Sequence, residues 1–375
     1  MRLLVTGARA PVAVEIARLL LAAGHQVHTA DSGPFDLAGT VKGVRRHRLP
    51  PPRKQPAAFA RAVAEIVARE SIERVIPTCE EVFYLAAARE QGYPLPLFAP
   101  DFGTLRRLHD KHAFIALAAG LGLPVPDTRL LESREQGMAL APLARDLVFK
   151  PAFSRFGTQA LVGERPDGIT PTPLRPWVAQ ERLQGEELCL YALASAGRLD
   201  AFCAYRPLYR LGRASSFYFE PIAAPDGEAL VRRVTEALTY TGQIAFDAIR
   251  TSDGRLLPIE CNPRATSGVH LLAGTPGFAA CLTGEAQARM LVAPGEPAML
   301  GLAMVLIALP HLRFGHIGAW RRDYARARDV LAGFNGRTLG TLARQALESA
   351  RRRIPLRAIA THDIEWDGEP IDMRE

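Results

Sequence analysis

Residues 242–264, GQIAFDAIRTSDGRLLPIECNPR, decide how the rest of the chain is read. Asp253-Gly254 is a strong two-residue hairpin signal, and the flanks at 244–250 and 256–261 are apolar enough to be strands. A two-residue turn sets Asp247 directly opposite Glu260. Directly opposed side chains have Cβ atoms about 4.5–5.5 Å apart, so two carboxylates there destabilise each other unless a cation neutralises them. Asn262 lies two residues beyond Glu260 and projects to the same face. The other face carries Phe246, Ala248, Ile259 and Cys261, a sensible core side. Two carboxylates and an amide make an all-oxygen set that suits Mg²⁺, with Mn²⁺ as a substitute. Mg²⁺ usually completes its octahedron with water and substrate phosphates, so the hairpin predicts a nucleotide nearby. An ordinary hairpin with solvated acids has the same spacing, and the rest of the chain has to decide between the two.

With 375 residues and 48% hydrophobic content, the chain is long enough for two or three structural units with sizeable cores. The first residues run straight into a strand-like segment without a signal-peptide pattern, and the longest apolar run, 299–309, is too short to span a bilayer. The five cysteines form no C-x-x-C pair and read as small core residues in a reducing compartment, which makes the cytoplasm the expected location, and the shortness of the apolar run gives no membrane partner as the expectation. The net charge of +7 is spread along the chain without a basic tract or interleaved aromatics, a pattern that argues against nucleic acid and for anionic small molecules. Among 46 basic positions only Lys42, Lys54, Lys111 and Lys150 are lysine. In a chain that writes arginine almost everywhere, a lysine suggests a need for a compact ammonium that binds phosphate as a point charge.

The N-terminus reads as a βαβ unit: strand 2–6, turn 7–11, helix 12–23, then strand 26–30 ending in Asp31. Its turn, GARAP, lacks the second and third glycines that let a backbone approach a pyrophosphate, which argues against a nicotinamide dinucleotide. Strand 74–76 ends in PTCEE, residues 77–81. Loops at the carboxyl ends of parallel strands line ligand crevices, so Thr78 and Glu80 are substrate-site candidates; a helix N-cap with acids on its dipole is the other reading. Strand 147–150 ends in Lys150 and leads to a small loop, SRFGT, at 154–158. A strand at 177–180 runs into Glu181, Arg182 and Leu183, then Gly185-Glu186-Glu187. A further hairpin, 187–195 with 198–206, precedes a loop carrying Arg206, Arg210 and Arg213. Those guanidinium groups suit an acidic substrate, or are solvated.

Taken in order, these segments resemble the ATP-grasp superfamily, particularly its carbamoyl-phosphate-synthetase-like and carboxylate-amine ligase branches, over roughly residues 1–300. The resemblance implies an α/β chain with a Rossmann-like pre-ATP-grasp domain at 1–108 and a two-lobed α+β ATP-grasp domain at 109–300, its lid lobe at about 128–185. A small C-terminal extension at 301–375 lies outside it. Asp110-Lys111 ahead of GLPVP matches the family's D-K segment, which puts Lys111 and Lys150 on the phosphates of ATP. The same matching assigns Ser154, Gly157 and Thr158 to a triphosphate-covering loop, Glu181 and the Leu183 backbone to adenine, and Glu187 to the ribose. Asp247, Glu260 and Asn262 become the Mg²⁺ ligands. Arg264 acts on the phosphoryl group in flight or on an acyl phosphate, with Arg206 and Arg213 near it. His270 is a general base or a packed histidine. Loop 154–158 departs from the family's richest form, having one glycine and Arg155 and Phe156 inside it.

The implied activity is ATP- and Mg²⁺-dependent ligation of a small-molecule carboxylate to an amine through an acyl phosphate, releasing ADP and phosphate. A kinase of a small acid or hydroxyl, and a nucleotide-binding protein without turnover, are the alternatives. The extension contains an expected helix at 339–353 and an acidic end, Asp363-Ile364-Glu365-Trp366. Packing, homodimer formation and closure of the substrate pocket are all open to it.

Overall fold

Leu3-Leu4-Val5 has no polar face, as a strand covered on both sides by helices requires. In the computed structural model this run is β1 (Arg2–Thr6), followed by α1 (Pro11–Ala22), β2 (Gln26–Asp31), β3 (Arg45–Arg48), α2 (Pro56–Arg69) and β4 (Arg74–Ile76). The strands form a sheet ordered β3-β2-β1-β4 with every neighbour parallel. Pro11 at the start of α1 exploits the one helical turn where its missing N–H costs nothing. Then come α3 (Glu81–Glu90), α4 (Phe102–His109) and α5 (Lys111–Gly120). The Asp110 carboxylate caps α5 by accepting from the His112 and Ala113 N–H groups, which fixes Lys111 in the first turn. The structure describes the chain apart from residues 34–35, 156–158, 211–215, 286–288, 313, 334–339, 342, 345–346, 348–350, 352–360 and 374–375. The helix expected at 339–353 falls largely outside the described residues.

A second, antiparallel sheet contains β5 (Thr128–Leu131), β6 (Leu147–Pro151), β7 (Leu161–Val162) and β8 (Trp177–Glu181) in the order β5-β8-β6-β7. Between β5 and β6, α6 (Arg134–Ala139) opens with a capping box made by Ser133 and Gln136. The third sheet is built from β9 (Gly185–Ser195), β10 (Arg198–Arg210), β11 (Ser216–Ile222), β12 (Gly242–Thr251) and β13 (Leu256–Asn262), with α7 (Pro225–Ala237) between β11 and β12. After α8 (Gly268–Leu272) and α9 (Phe278–Thr283), the short strands β14 (Leu291–Val292), β15 (Ala298–Met299) and β16 (Arg328–Asp329) complete the order β13-β12-β9-β10-β11-β15-β16, with β14 on β10. The expected boundary at 300 therefore falls between two paired strands of one sheet.

Phe114 of α5 packs on Phe246 of β12 with ring centroids 5.6 Å apart, inside a core shared with Leu230 and Val234 of α7. That packing lays α5 over the hairpin strands and brings Lys111 to them. The C-terminal residues 361–373 cross the carboxyl ends of the parallel sheet, where Ile364 and Trp366 are buried. No helix among the described residues is long and apolar enough to cross a membrane.

Candidate active site

The hairpin reaches the expected pairing by an unexpected route. Thr251 N donates to Arg255 O at 2.9 Å and Gly254 adopts φ +85°, so the turn has three residues, Ser252-Asp253-Gly254, rather than two. Left alone, the longer turn slides the register by one and puts Ile259 opposite Asp247. A bulge at Ile259 takes up the slip: Ala248 pairs with Pro258, and Asp247 pairs with Glu260. Ile259 is thereby removed from the apolar face expected for it, while Phe246, Ala248 and Cys261 stay buried on that side. The displaced Ile259 carbonyl accepts from Lys150 Nζ at 3.3 Å and from Gln180 Nε2 at 3.4 Å.

Around the opposed acids, Asn262 Nδ2 donates to Asp247 Oδ2 at 3.3 Å and the Cys189 thiol donates to Asp247 Oδ1 at 3.2 Å. Arg264 Nη2 donates to Asn262 Oδ1 at 2.9 Å. Burial and the charge of Glu260 push the Asp247 carboxyl up to about 8. Burial would raise Glu260 as well, but Lys111 and Lys150 overcome it and hold that carboxyl low. One acid of the pair thus keeps a proton near neutral pH. This donor set fits a hard divalent cation, which would replace that proton and the Asn262 and Cys189 hydrogen bonds. No group of three His, Cys, Asp or Glu side chains is placed for a metal among the described residues; the third oxygen here is an amide.

The two lysines converge on the same acids. Lys111 is 3% exposed; its ammonium donates to Ser154 O and Oγ, both at 3.1 Å, and lies 3.8 Å from Glu260 Oε2. Lys150 is 7% exposed and donates to Gln180 Oε1 at 3.0 Å. Burial pushes Lys150 down to about 8 despite the nearby Glu260 charge.

At the junction of the second and third sheets, Glu181 N donates to Asp127 O at 2.7 Å, and the exposed Glu181 carboxylate accepts from Asp127 N at 3.3 Å. Leu183 is half-buried between β8 and β9. Gly185 is required by a close approach: a Cβ there would sit 2.1 Å from Arg250 O. Glu187, across from Ile249, already holds Arg210 at 2.7 Å.

Glu80 is fully buried where the parallel sheet meets the hairpin. Its Oε1 lies 3.1 Å from Arg155 Nε and 3.7 Å from Arg264 Nε, and its Oε2 accepts from Trp366 N at 3.1 Å. Although Glu80 stands at the N-cap of α3, its side chain makes no capping bond, so the simple cap reading fails. Arg155, in sequence only an intruder in a glycine-poor loop, reaches out of that loop to this carboxylate. Nearby, burial and then Lys111 hold the imidazole of His109 well below its ordinary range.

Other candidates are engaged elsewhere. Thr78 Oγ1 donates to Thr6 O at 2.8 Å and Gly7 O at 3.1 Å, closing the end of β1 instead of facing the crevice. His270 is a packed histidine with a partner invisible in sequence: its Nδ1 shares a hydrogen bond with Glu15 Oε2 at 3.0 Å, and its ring stacks on Phe219. Arg206 is an exposed partner of Glu186. Gly157, Thr158 and Arg213 lie outside the described residues. Sequence reasoning missed the thiol of Cys189, which read as a core residue, and Trp366, for which no local signal exists.

Comparison with solved structures identifies the architecture. N5-carboxyaminoimidazole synthetase from Staphylococcus aureus, complexed with ADP, superimposes with a TM-score of 0.64 over 82% of this chain and 85% of that one, at 14% identity. L-amino acid ligase from Bacillus licheniformis gives 0.59 over 75% and 72%, at 16% identity. The biotin carboxylase domain of Hydrogenobacter thermophilus 2-oxoglutarate carboxylase, complexed with MgADP, ADP and bicarbonate, gives 0.61 over 77% and 71%, at 12% identity. The chain has the ATP-grasp fold. No protein-family model matches the chain, and no curated protein matches it in sequence.

Proposed function

We propose that the protein is an ATP- and Mg²⁺-dependent carboxylate-amine ligase. The observation that carries the proposal is the opposed pair Asp247 and Glu260, completed by Asn262 and faced by two buried lysines. Two acids that cannot both ionise alone, beside cations in excess, form a site for a metal with a polyphosphate. The ADP and MgADP complexes of the solved neighbours support the same ligand class.

In this reading Asp247, Glu260 and Asn262 hold the metal, whose charge offsets that of the phosphates. Lys111, Lys150 and the loop from Ser154 through Gly157 and Thr158 bind the phosphate oxygens. Glu181 and the Leu183 backbone meet the adenine edge, and Glu187 accepts from the ribose hydroxyls after sharing or releasing Arg210. Arg264 stands beside Asn262 and Glu80, where its guanidinium neutralises a carboxylate and then an acyl phosphate. A substrate carboxylate attacks the γ-phosphorus, the bond to the ADP oxygen breaks, and an amine displaces phosphate from the acyl carbon with loss of a proton. Positioning and charge neutralisation do the catalytic work.

The test is ATP consumption with Mg²⁺ across a mixed pool of carboxylic and amino acids, with nucleotide products separated and new masses recorded. ADP that forms only with an acid and an amine, together with a condensed product, establishes the ligase. ADP formed with an acid alone marks either a kinase, with a stable phosphorylated mass, or an acyl phosphate leaking to water, with the acid recovered unchanged; only the first overturns the second half of the reaction.

A further inference from the structure

Glu187 stands on the same face of the third sheet as the opposed acids, because it lies two residues before Cys189, whose thiol donates to Asp247. On the neighbouring strand β10, Tyr205 pairs with Cys189 and shares that face, while Arg206 points to the other, where it meets Glu186. Continued alternation would put Tyr209 with Tyr205 and Arg210 with Arg206. The contacts are reversed. The Tyr209 ring packs on Tyr218 with centroids 5.8 Å apart, and Tyr218 pairs with Leu208 on the Arg206 side. Arg210 instead reaches Glu187, its Nη1 donating to Oε2 at 2.7 Å. The exchange happens at Tyr209, which adopts φ +50°, the left-handed region that a bulky residue seldom enters.

That conformation is held from outside the strand. Tyr209 OH donates at 2.6 Å to Asp323 Oδ2, on the helix Ile317–Arg326. Arg326 of the same helix donates to Tyr218 OH at 3.2 Å and pairs with Glu220. Arg210 is itself tied back, its Nε donating to Pro207 O at 3.1 Å. Among the described residues Glu187 Oε1 has no hydrogen-bond partner. An ion pair as exposed as this one adds little to stability, so it does not offset the strain at Tyr209, and strain that stability leaves unexplained points to function.

Resting on the ligase reading above, which puts the ribose at Glu187, we infer that Arg210 is a positioning residue for nucleotide recognition. It fixes Glu187 Oε2 and leaves Oε1 to accept from the ribose hydroxyls. A carboxylate held by a guanidinium that is anchored in turn keeps one orientation, so the acceptor is formed before the nucleotide arrives. The helix Ile317–Arg326 thereby acts on the site through Tyr209.

The experiment compares ADP with 2′,3′-dideoxyadenosine diphosphate by titration calorimetry with Mg²⁺ on the full chain. The starting protein is expected to prefer ADP by at least about tenfold, the worth of hydroxyls bound to a charged acceptor. Arg210→Met should cut that preference about fivefold by weakening ADP, and should change the dideoxy affinity less than about twofold beyond the general loss of a positive charge shared by both ligands. Arg210→Lys keeps the charge but not the Nε bond to Pro207 O, and should lose the preference as the methionine variant does. In a Glu187→Gln background, Arg210→Met should change the preference no further. Tyr209→Phe, which removes only the Asp323 bond, should reduce the preference in the same direction and serves if Arg210→Met does not fold. An unchanged preference in folded Arg210→Met, or its return in Arg210→Lys, overturns the inference. So does a starting protein that binds both nucleotides equally. If the preference and the coupling appear as expected but no pool of acids and amines gives ATP turnover, the ligase reading fails and the positioning role stands.

Discussion

The Lys150 ammonium donates to the carbonyl oxygen of Ile259, the residue bulged out of β13, at 3.3 Å. One local irregularity therefore does two things: it restores the Asp247–Glu260 pairing after a three-residue turn, and it turns a backbone acceptor toward a buried lysine.

Lys150 gives the protein a pH dependence with a defined sign. Its pKa falls from 10.5 to about 8 on folding. Between those values the folded chain binds one proton fewer than the unfolded chain, so the Lys150 contribution to stability is unfavourable below about 8 and recovers as pH rises toward 10.5. Anion binding runs the other way, because only the ammonium attracts phosphate. ADP affinity, measured by titration calorimetry, should fall above about pH 8 by up to about tenfold per unit. Lys150→Arg keeps its charge throughout and should flatten that profile.

Asp247→Asn and Glu260→Gln should each reduce Mg²⁺-dependent turnover by at least about a thousandfold, equivalent to about 4 kcal/mol of transition-state stabilisation. Thermal unfolding of metal-free Asp247→Asn should stay close to that of the starting protein, because the Asp247 carboxyl already carries the proton, whereas Glu260→Gln takes the counter-charge from buried Lys111 and Lys150 and should lower it. Wild-type turnover in either variant removes the metal assignment.

Arg9 bridges Asp31 and Asp363, and all three side chains are at least nine-tenths buried. Arg9→Ala strands two buried carboxylates and should cost about 3–5 kcal/mol in urea unfolding. Asp363→Ala leaves Arg9 its partner Asp31 and should cost less. The reverse ranking would mean that Asp363, rather than the arginine, carries the network.

At Gly185 the prediction is steric. Alanine would place its Cβ 2.1 Å from Arg250 O, so β9 and β12 must separate at their ends. The expected cost is about 1–3 kcal/mol, as for other overpacked sites. A loss of ADP affinity should accompany it, because Glu181 and Leu183 hang on the same junction. Unchanged affinity in a folded Gly185→Ala variant separates that junction from the nucleotide.

The parallel βαβ start, the hairpin and the opposed acids were legible in the sequence because each rests on local chemistry: apolar runs of strand length, a glycine turn, and alternation of period two. The scarcity of lysine narrowed the phosphate candidates to four, and the order of segments, which carried the resemblance to the ATP-grasp fold, chose Lys111 and Lys150 among them. Even there, the pairing emerged from two local departures that offset each other, a longer turn and a bulge. What only the tertiary structure decided joins residues far apart in the chain: Arg155 to Glu80, His270 to Glu15 across 255 positions, and Trp366 to Glu80 across 286. Periodicity reports which face of an element is apolar, but not which distant element will cover it. That choice depends on how helices and sheets pack as solid bodies, and it brought a C-terminal tryptophan to the wall of a crevice built by the rest of the chain.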